Sequence, residues 1–269
     1  MVKLLSCLKW FFVGLVILFI YAPILLLTVY SFNSSETINV WGEFSWTHYE
    51  YFFDMDNQPL PIVLQTMALA FVVATLSTLL GTIGAIGIFY SKKRTGEALS
   101  GINQIPIMNA EVVTAISLAF LIVALQIPKS TYIPLIVGQM TLCTPFVVVS
   151  VIPKLKQMDN NLYEAALDLG ASPTKALWSV VIPQILPGII SGFLLAVTLS
   201  LDDYVIAAYT KPHTFQTIST HIYGLNKGGM VNTIKSSYWA FTAIVFLIIV
   251  VVLIVSNVVA NKKIRSKTQ

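Results

Sequence analysis

Six predominantly apolar runs, each about 20 residues or longer, divide this chain, at about 11–31, 62–90, 103–126, 132–152, 186–208 and 237–260. About 20 such residues in a helix cross a hydrocarbon core of about 30 Å. The second run is long enough to include a turn outside the membrane. Composition agrees with this reading. Only 10% of the 269 residues are charged and 56% are hydrophobic, against roughly 25% charged in a soluble domain. The expected fold class is an all-α integral membrane protein with six transmembrane helices.

The basic residues set an orientation. With the N-terminus inside, 12 of the 16 Lys and Arg residues fall on the inner side, among them Lys92, Lys93, Arg94, Lys154, Lys156 and Lys175. Lys129, Lys211, Lys227 and Lys235 fall outside. The positive-inside rule then puts both termini in the cytoplasm. The net charge of +4 is no nucleic-acid signal, because the bases sit beside the spans. Residues 11–31 are too long for a signal peptide and lack a small-residue cleavage site, so they read as an uncleaved first span.

Between the first two spans, an outer loop at 32–61 carries Glu36, Glu43, Glu50, Asp54 and Asp56 among the aromatics Trp41, Phe44, Trp46, Tyr49, Tyr51, Phe52 and Phe53. Aromatics prefer the membrane–water boundary, which predicts an interfacial helix near 46–54. The acids read either as a cation-attracting mouth or as ordinary solvation. In the second span Gly81, Gly84 and Gly87 share one helix side and permit close packing.

Much enzymatic chemistry is missing from the pattern. Cys7 and Cys143 give neither a disulfide framework nor a metal spacing. His48, His213 and His221 form no metal-binding pair. Gly170-Ala171-Ser172-Pro173-Thr174-Lys175 lacks the second glycine of a phosphate loop, so ATP hydrolysis by this chain alone is not expected. No Ser–His pairing suggests a nucleophile.

Three acids, however, fall inside spans: Glu111, Asp202 and Asp203. A central acid costs about 2.5–3.5 kcal/mol to insert, and three approach ~10 kcal/mol. No basic residue within a span pairs with them. Such acids face a bundle interior or an aqueous path. On continuous helices Glu111 lies about 10 Å deep and Asp202 about 22 Å deep, which suggests a ladder for an elongated cation. Adjacent helical residues point about 100° apart. One Asp therefore lines the path while the other faces a partner helix, and spacing leaves open which. Tyr204 adds a cation–π or hydroxyl contact.

The stretch 160–187, NNLYEAALDLGASPTKALWSVVIPQILP, is the one long polar interruption. It reads as two short helices with a corner. Leu162, Ala165, Ala166 and Leu169 recur at helical spacing, Gly170 suits a left-handed C-terminus, and Ser172-Pro173 suits a capped start. Pro183 and Pro187 are expected to end the second helix and begin a hydrophobic one. Glu164-Ala165-Ala166, Gly170 and Val180-x-Ile182-Pro183 resemble the EAA loop of ABC importer permeases, with Val180 and Ile182 as conservative departures.

Ala110-Glu111-Val112-Val113-Thr114 and Ser200-Leu201-Asp202-Asp203-Tyr204 resemble the polyamine (spermidine/putrescine) branch of that family, and specifically its second permease. So do Ser31-Phe32-Asn33-Ser34-Ser35, Leu142-Cys143-Thr144-Pro145 and His221-Ile222-Tyr223. Ala110 departs from the proline that often precedes the family's acid.

The resemblance implies one permease domain over 1–269, with a core at about 62–260 and a cytoplasmic helical coupling loop at about 153–187, between spans 4 and 5. Glu164, Ala165, Ala166, Gly170 and Pro183 would belong to the ATPase-coupling loop. Asp202, Asp203, Glu111 and Tyr204 would line the substrate path. The loop at 209–235, with His213, His221 and Tyr223, would face a binding protein or close an outer gate. Implied partners are a homologous second permease, two ATPase subunits that use ATP and Mg, an extracytoplasmic polyamine-binding protein and the lipid of a bacterial cytoplasmic membrane. No cofactor, metal or nucleic acid is implied for this chain. Rival readings are a permease for another organic cation or solute, and a stand-alone cation carrier that would not need the corner.

Overall fold

A computed structural model describes residues 2–35, 40–54, 59–128, 130–227, 236–248 and 250–251. Parts of the expected outer loops and much of the sixth run lie outside the described residues, including Glu36, Asp56, Lys129, Lys235 and 252–260. Secondary structure among the described residues is helical, apart from one antiparallel bridge between Asn33 and Phe44. The chain forms two compact units, Met1–Pro61 with Leu225–Gln269, and Ile62–Gly224.

The first unit begins with α1, Val2–Tyr30, an apolar helix whose lipid-length stretch Lys9–Tyr30 has no buried residue. Asn33 then organises the turn out of it. Its Oδ1 accepts from the Gly42 and Ser35 amides at 2.7 and 3.3 Å, and its Nδ2 donates to the Val40 carbonyl at 2.8 Å. Gly42 is needed there, because a Cβ would stand 2.3 Å from Ser34 Oγ. Helix α2, Thr47–Phe53, matches the expected interfacial helix. Phe32, Phe44, Trp46 and Tyr49 pack into one aromatic cluster at its start. The unit's last described helix, Ser236–Ile248, stacks Phe241 on Phe52 and brings Ser236 Oγ to 3.1 Å from His48 Nδ1.

The second unit departs from the sequence reading at three helix boundaries. Helix α3, Pro59–Tyr90, runs unbroken for 32 residues, without the turn expected in the second run. Pro59 and Pro61 stand in its first turn, where a missing N–H is no loss. Gly81 is held against α6, Ile133–Gln157, where a Cβ would meet Val147 at 2.7 Å.

The expected third span is instead two helices, α4 (Lys93–Met108) and α5 (Glu111–Ala124), bent by 101°. Pro106 cannot continue the ladder. Asn109 Nδ2 closes the bend by donating to Thr114 Oγ1 at 3.1 Å.

After α7 (Asn160–Asp168) and α8 (Pro173–Ala176), Pro183 does not end a helix. A single π-helical turn, Leu177–Val181, leads directly into α9, Ile182–Asp202. The wider turn absorbs the missing N–H of Pro183 and the ring's crowding of the carbonyl four residues back. Pro173–Asp202 is therefore one 30-residue rod. Short helices α10 (Val205–Thr210) and α11 (Ile218–Lys227) follow.

Helices α6 and α9 form the centre of this unit. Gly188 lies so close to α6 that a Cβ would stand 2.7 Å from Lys154 Cγ and 3.1 Å from the Ser150 carbonyl. Val147, Val151, Leu155, Val181, Ile185 and Ala196 fill the seam between them. Four helices are long and apolar enough to cross a membrane, or five when α4 and α5 count as one broken span.

Candidate functional site

The break before Glu111 changes the geometry of the acids. Glu111 opens α5 rather than sitting a turn and a half along a continuous span. There the helix macrodipole favours its negative charge. Asp202 ends α9, and Asp203 stands in the break before α10. All three acids line one cavity of about 250 Å³, together with Asn109, Thr114, Leu142, Phe146, Leu199 and Ile206 among others. Glu111 lies close enough to Asp203 for their side chains to hydrogen-bond, and it feels the Asp202 charge. No Lys, Arg or His lines this cavity among the described residues. The continuous-helix rise that separated Glu111 from Asp202 in depth does not apply across a 101° bend.

The two adjacent aspartates differ sharply. Asp203 is 3% exposed, while Asp202 is exposed. Asp203 Oδ1 accepts from the Ile206 amide at 3.0 Å, and Oδ2 accepts from the Ala207 amide at 3.0 Å. Asp203 thus caps the first turn of α10. Its Oδ2 also accepts from Gln139 Nε2 at 2.9 Å. Tyr204 is not among the described residues lining the cavity. Its ring instead lies 4.4 Å from that of Tyr223 on α11.

Sequence reasoning missed Gln139. An amide in the middle of an apolar span was the available signal, and Asn109 at the bend was another.

Of the other outer residues, His213 is exposed and His221 is buried, with Nδ1 bonded to Gln216 Oε1. Burial holds the His221 pKa below its ordinary value.

A second candidate surface is the corner. The Asp159 side chain caps α7 by accepting from the Asn161 amide at 3.0 Å. At its other end Gly170 has φ +84°. The Gly170 amide donates to the Leu167 carbonyl at 2.9 Å and the Ala171 amide to the Ala166 carbonyl at 3.0 Å. This is the paired bonding of a Schellman terminus. Ser172 Oγ accepts from the Lys175 amide at 3.4 Å, starting α8. Glu164, Ala165 and Pro183 are exposed. So is an apolar edge, with Leu169 89%, Leu162 51% and Trp178 69% exposed.

Apolar helices of span length, a buried cluster of acids without bases and an exposed helical corner together define a membrane permease rather than a soluble enzyme. The chain belongs to the binding-protein-dependent transport system inner membrane components, whose family pattern matches residues 77–265. It is a multi-pass membrane protein.

Among its relatives, the spermidine/putrescine transport system permease protein PotC of Haemophilus influenzae is 30% identical over 251 residues, covering 93% of this chain and 95% of that protein. The putrescine transport system permease protein PotI of Escherichia coli K12 is 36% identical over 199 residues, covering 72% and 70%. The fold matches a chain in the crystal structure of a bacterial ABC transporter involved in the import of the acidic polysaccharide alginate, with TM-score 0.69 at 17% identity over 93% of each chain. It matches equally, at TM-score 0.69 and 17% identity, a chain of that alginate transporter in complex with an alginate pentasaccharide-bound periplasmic protein.

Proposed function

We propose that this chain is the second permease subunit of an ATP-driven polyamine importer in a bacterial cytoplasmic membrane. The observation that carries the proposal is the cavity where Glu111, Asp202 and Asp203 converge with no base beside them. Carboxylates are acceptors only, and an ammonium group is a donor only, so the two match in charge and in hydrogen bonding. A polyamine leaves water most cheaply where fixed negative charge replaces its hydration.

In this reading the chain has six spans, with α4 and α5 as the broken third and Ser236–Ile248 in the sixth. Both termini lie in the cytoplasm, as the positive-inside rule favours. A homologous permease forms the other half of the path. Two ATPase subunits bind ATP and Mg and dock on the corner, where Glu164, Ala165, Ala166 and Gly170 present an exposed surface and Pro183 lies in the rod beyond it. An extracytoplasmic binding protein delivers substrate to the outer face. Closure of the ATPase pair moves the corner and switches access to the cavity. Substrate biases only those states for which it has different affinity. Hydrolysis belongs to the partner subunits and not to this chain.

The test is ATP-dependent uptake of labelled spermidine and putrescine by vesicles containing the full assembly. Asp202→Asn and Glu111→Gln are each expected to lower uptake at low substrate by about tenfold or more, the equivalent of losing one charge-assisted contact. Normal uptake in both, at equal subunit assembly, removes the cation path from this cavity.

A further inference from the structure

The neighbours Asp202 and Asp203 are not equivalent, and the residue that makes them different sits on another helix. Gln139 is fully buried on α6. Its Nε2 donates to Asp203 Oδ2 at 2.9 Å, and its Oε1 accepts from Ser200 Oγ at 2.8 Å. The amide orientation follows from chemistry, since an ionised carboxylate only accepts and the group facing it must be the NH2. Three donors in all fill the two oxygens of Asp203: the Gln139 amide and the Ile206 and Ala207 backbone N–H groups.

Gly138 lets α10 settle onto α6 beside this bond. A Cβ there would meet Ile206 Cγ2 at 2.8 Å. Asp202, by contrast, is exposed, lines the cavity and has no hydrogen bond among the described residues.

We propose that Gln139 is the positioning residue of the cavity: by tying Asp203 and Ser200 together it commits Asp203 to capping α10, and so leaves Asp202, with Glu111, to meet the ammonium group. This rests on reading the cavity as a cation path. It assigns unequal roles to two identical side chains. Only an amide fits at position 139, because one end must donate to a carboxylate while the other accepts from a hydroxyl. Leucine there removes a donor from Asp203 and the acceptor from Ser200. Glutamate there sets two carboxylates against each other.

Exchanging the partners tests the assignment. In Asp203→Asn with Gln139→Glu, the new amide donates to the new carboxylate across the same gap. The Ser200 hydroxyl keeps its acceptor, and the Ile206 cap survives on the remaining oxygen. KM and maximal uptake rate for a diamine are measured in the full assembly, with co-purification of the ATPase subunit as the check on assembly.

Asp202→Asn is expected to raise KM about tenfold with little change in maximal rate, the loss of one charge-assisted contact. Asp203→Asn and Gln139→Leu are expected to lower the maximal rate more than they raise KM. The double exchange should recover most of what Asp203→Asn loses. If the exchange fails to recover uptake, and Asp203→Asn raises KM as Asp202→Asn does, then Asp203 is itself a ligand and the positioning role is overturned while the path stands. Unchanged KM in Asp202→Asn, with Glu111→Gln also normal, removes the path and the positioning role together.

Discussion

The chain turns abruptly at both ends of the rod Pro173–Asp202, and it does so by opposite means. At the corner the bonds are local. Gly170, Ala171 and Ser172 bond to residues no more than five positions away in sequence. At the cavity end, Asp203 bonds forward to Ile206 and Ala207 but is fixed by Gln139, 64 positions back. The corner is therefore a self-contained turn that sequence chemistry alone can build. The cavity end exists only once α6 has packed against α9. One end carries a shape, and the other carries a charge arrangement that depends on tertiary structure.

Substitutions should separate the two ends. The largest effect is expected from Gly138→Val, which puts a Cβ 2.8 Å from Ile206 Cγ2 and pushes α10 off α6. Overpacking of this kind costs about 1–3 kcal/mol. It should lower the thermal midpoint of the detergent-purified assembly, and an unchanged midpoint would mean that α10 does not rest on Gly138.

Next comes Gly170→Ala. No atom lies within 4 Å of the new Cβ, so the cost is backbone strain at φ +84°, about 1–2 kcal/mol. Because that strain is local, hydrogen exchange should quicken over Asn160–Ala176 and remain unchanged over Val205–Thr210. Spread of the effect to α10 would break the contrast.

The smallest effect is expected from Ser172→Ala, which removes a cap bond of 3.4 Å. The cost should be about 0.5 kcal/mol, at the weak end for caps. Combined with Gly138→Val it should add within about 0.5 kcal/mol, as independent sites do. A larger coupling measured in the same melts would show that the two ends communicate through the folded rod.

The same division explains what could be read before any coordinates. The corner was legible because Gly170, Ser172 and Pro173 act on neighbouring residues. Helix α2 was legible because aromatic and polar residues announce a boundary. The apolar runs were legible because lipid imposes a length.

Pro106 and Pro183, though, are the same residue type with opposite outcomes. Near Pro106 the chain bends by 101°, whereas near Pro183 a π turn carries the helix onward. A proline says that the regular ladder is interrupted, and packing decides whether the interruption becomes a bend or a wider turn. Gln139 was invisible as a partner for the same reason. Helical periodicity assigns a residue to a face but does not say which helix will lie against it. Asp202 and Asp203 could therefore be recognised as costly without being told apart.

The π turn has a mechanical meaning. A rod of 30 residues is about 45 Å long, so tilting it by 5° about the corner sweeps its far end through about 4 Å. Asp202 sits at that far end like the pin of a crank. Leu177–Val181 sets the phase of the pin, because one residue removed from a helix rotates everything beyond it by about 100°. Two chains with identical acids and identical corners, differing only in the length of this turn, would point the same carboxylate in different directions.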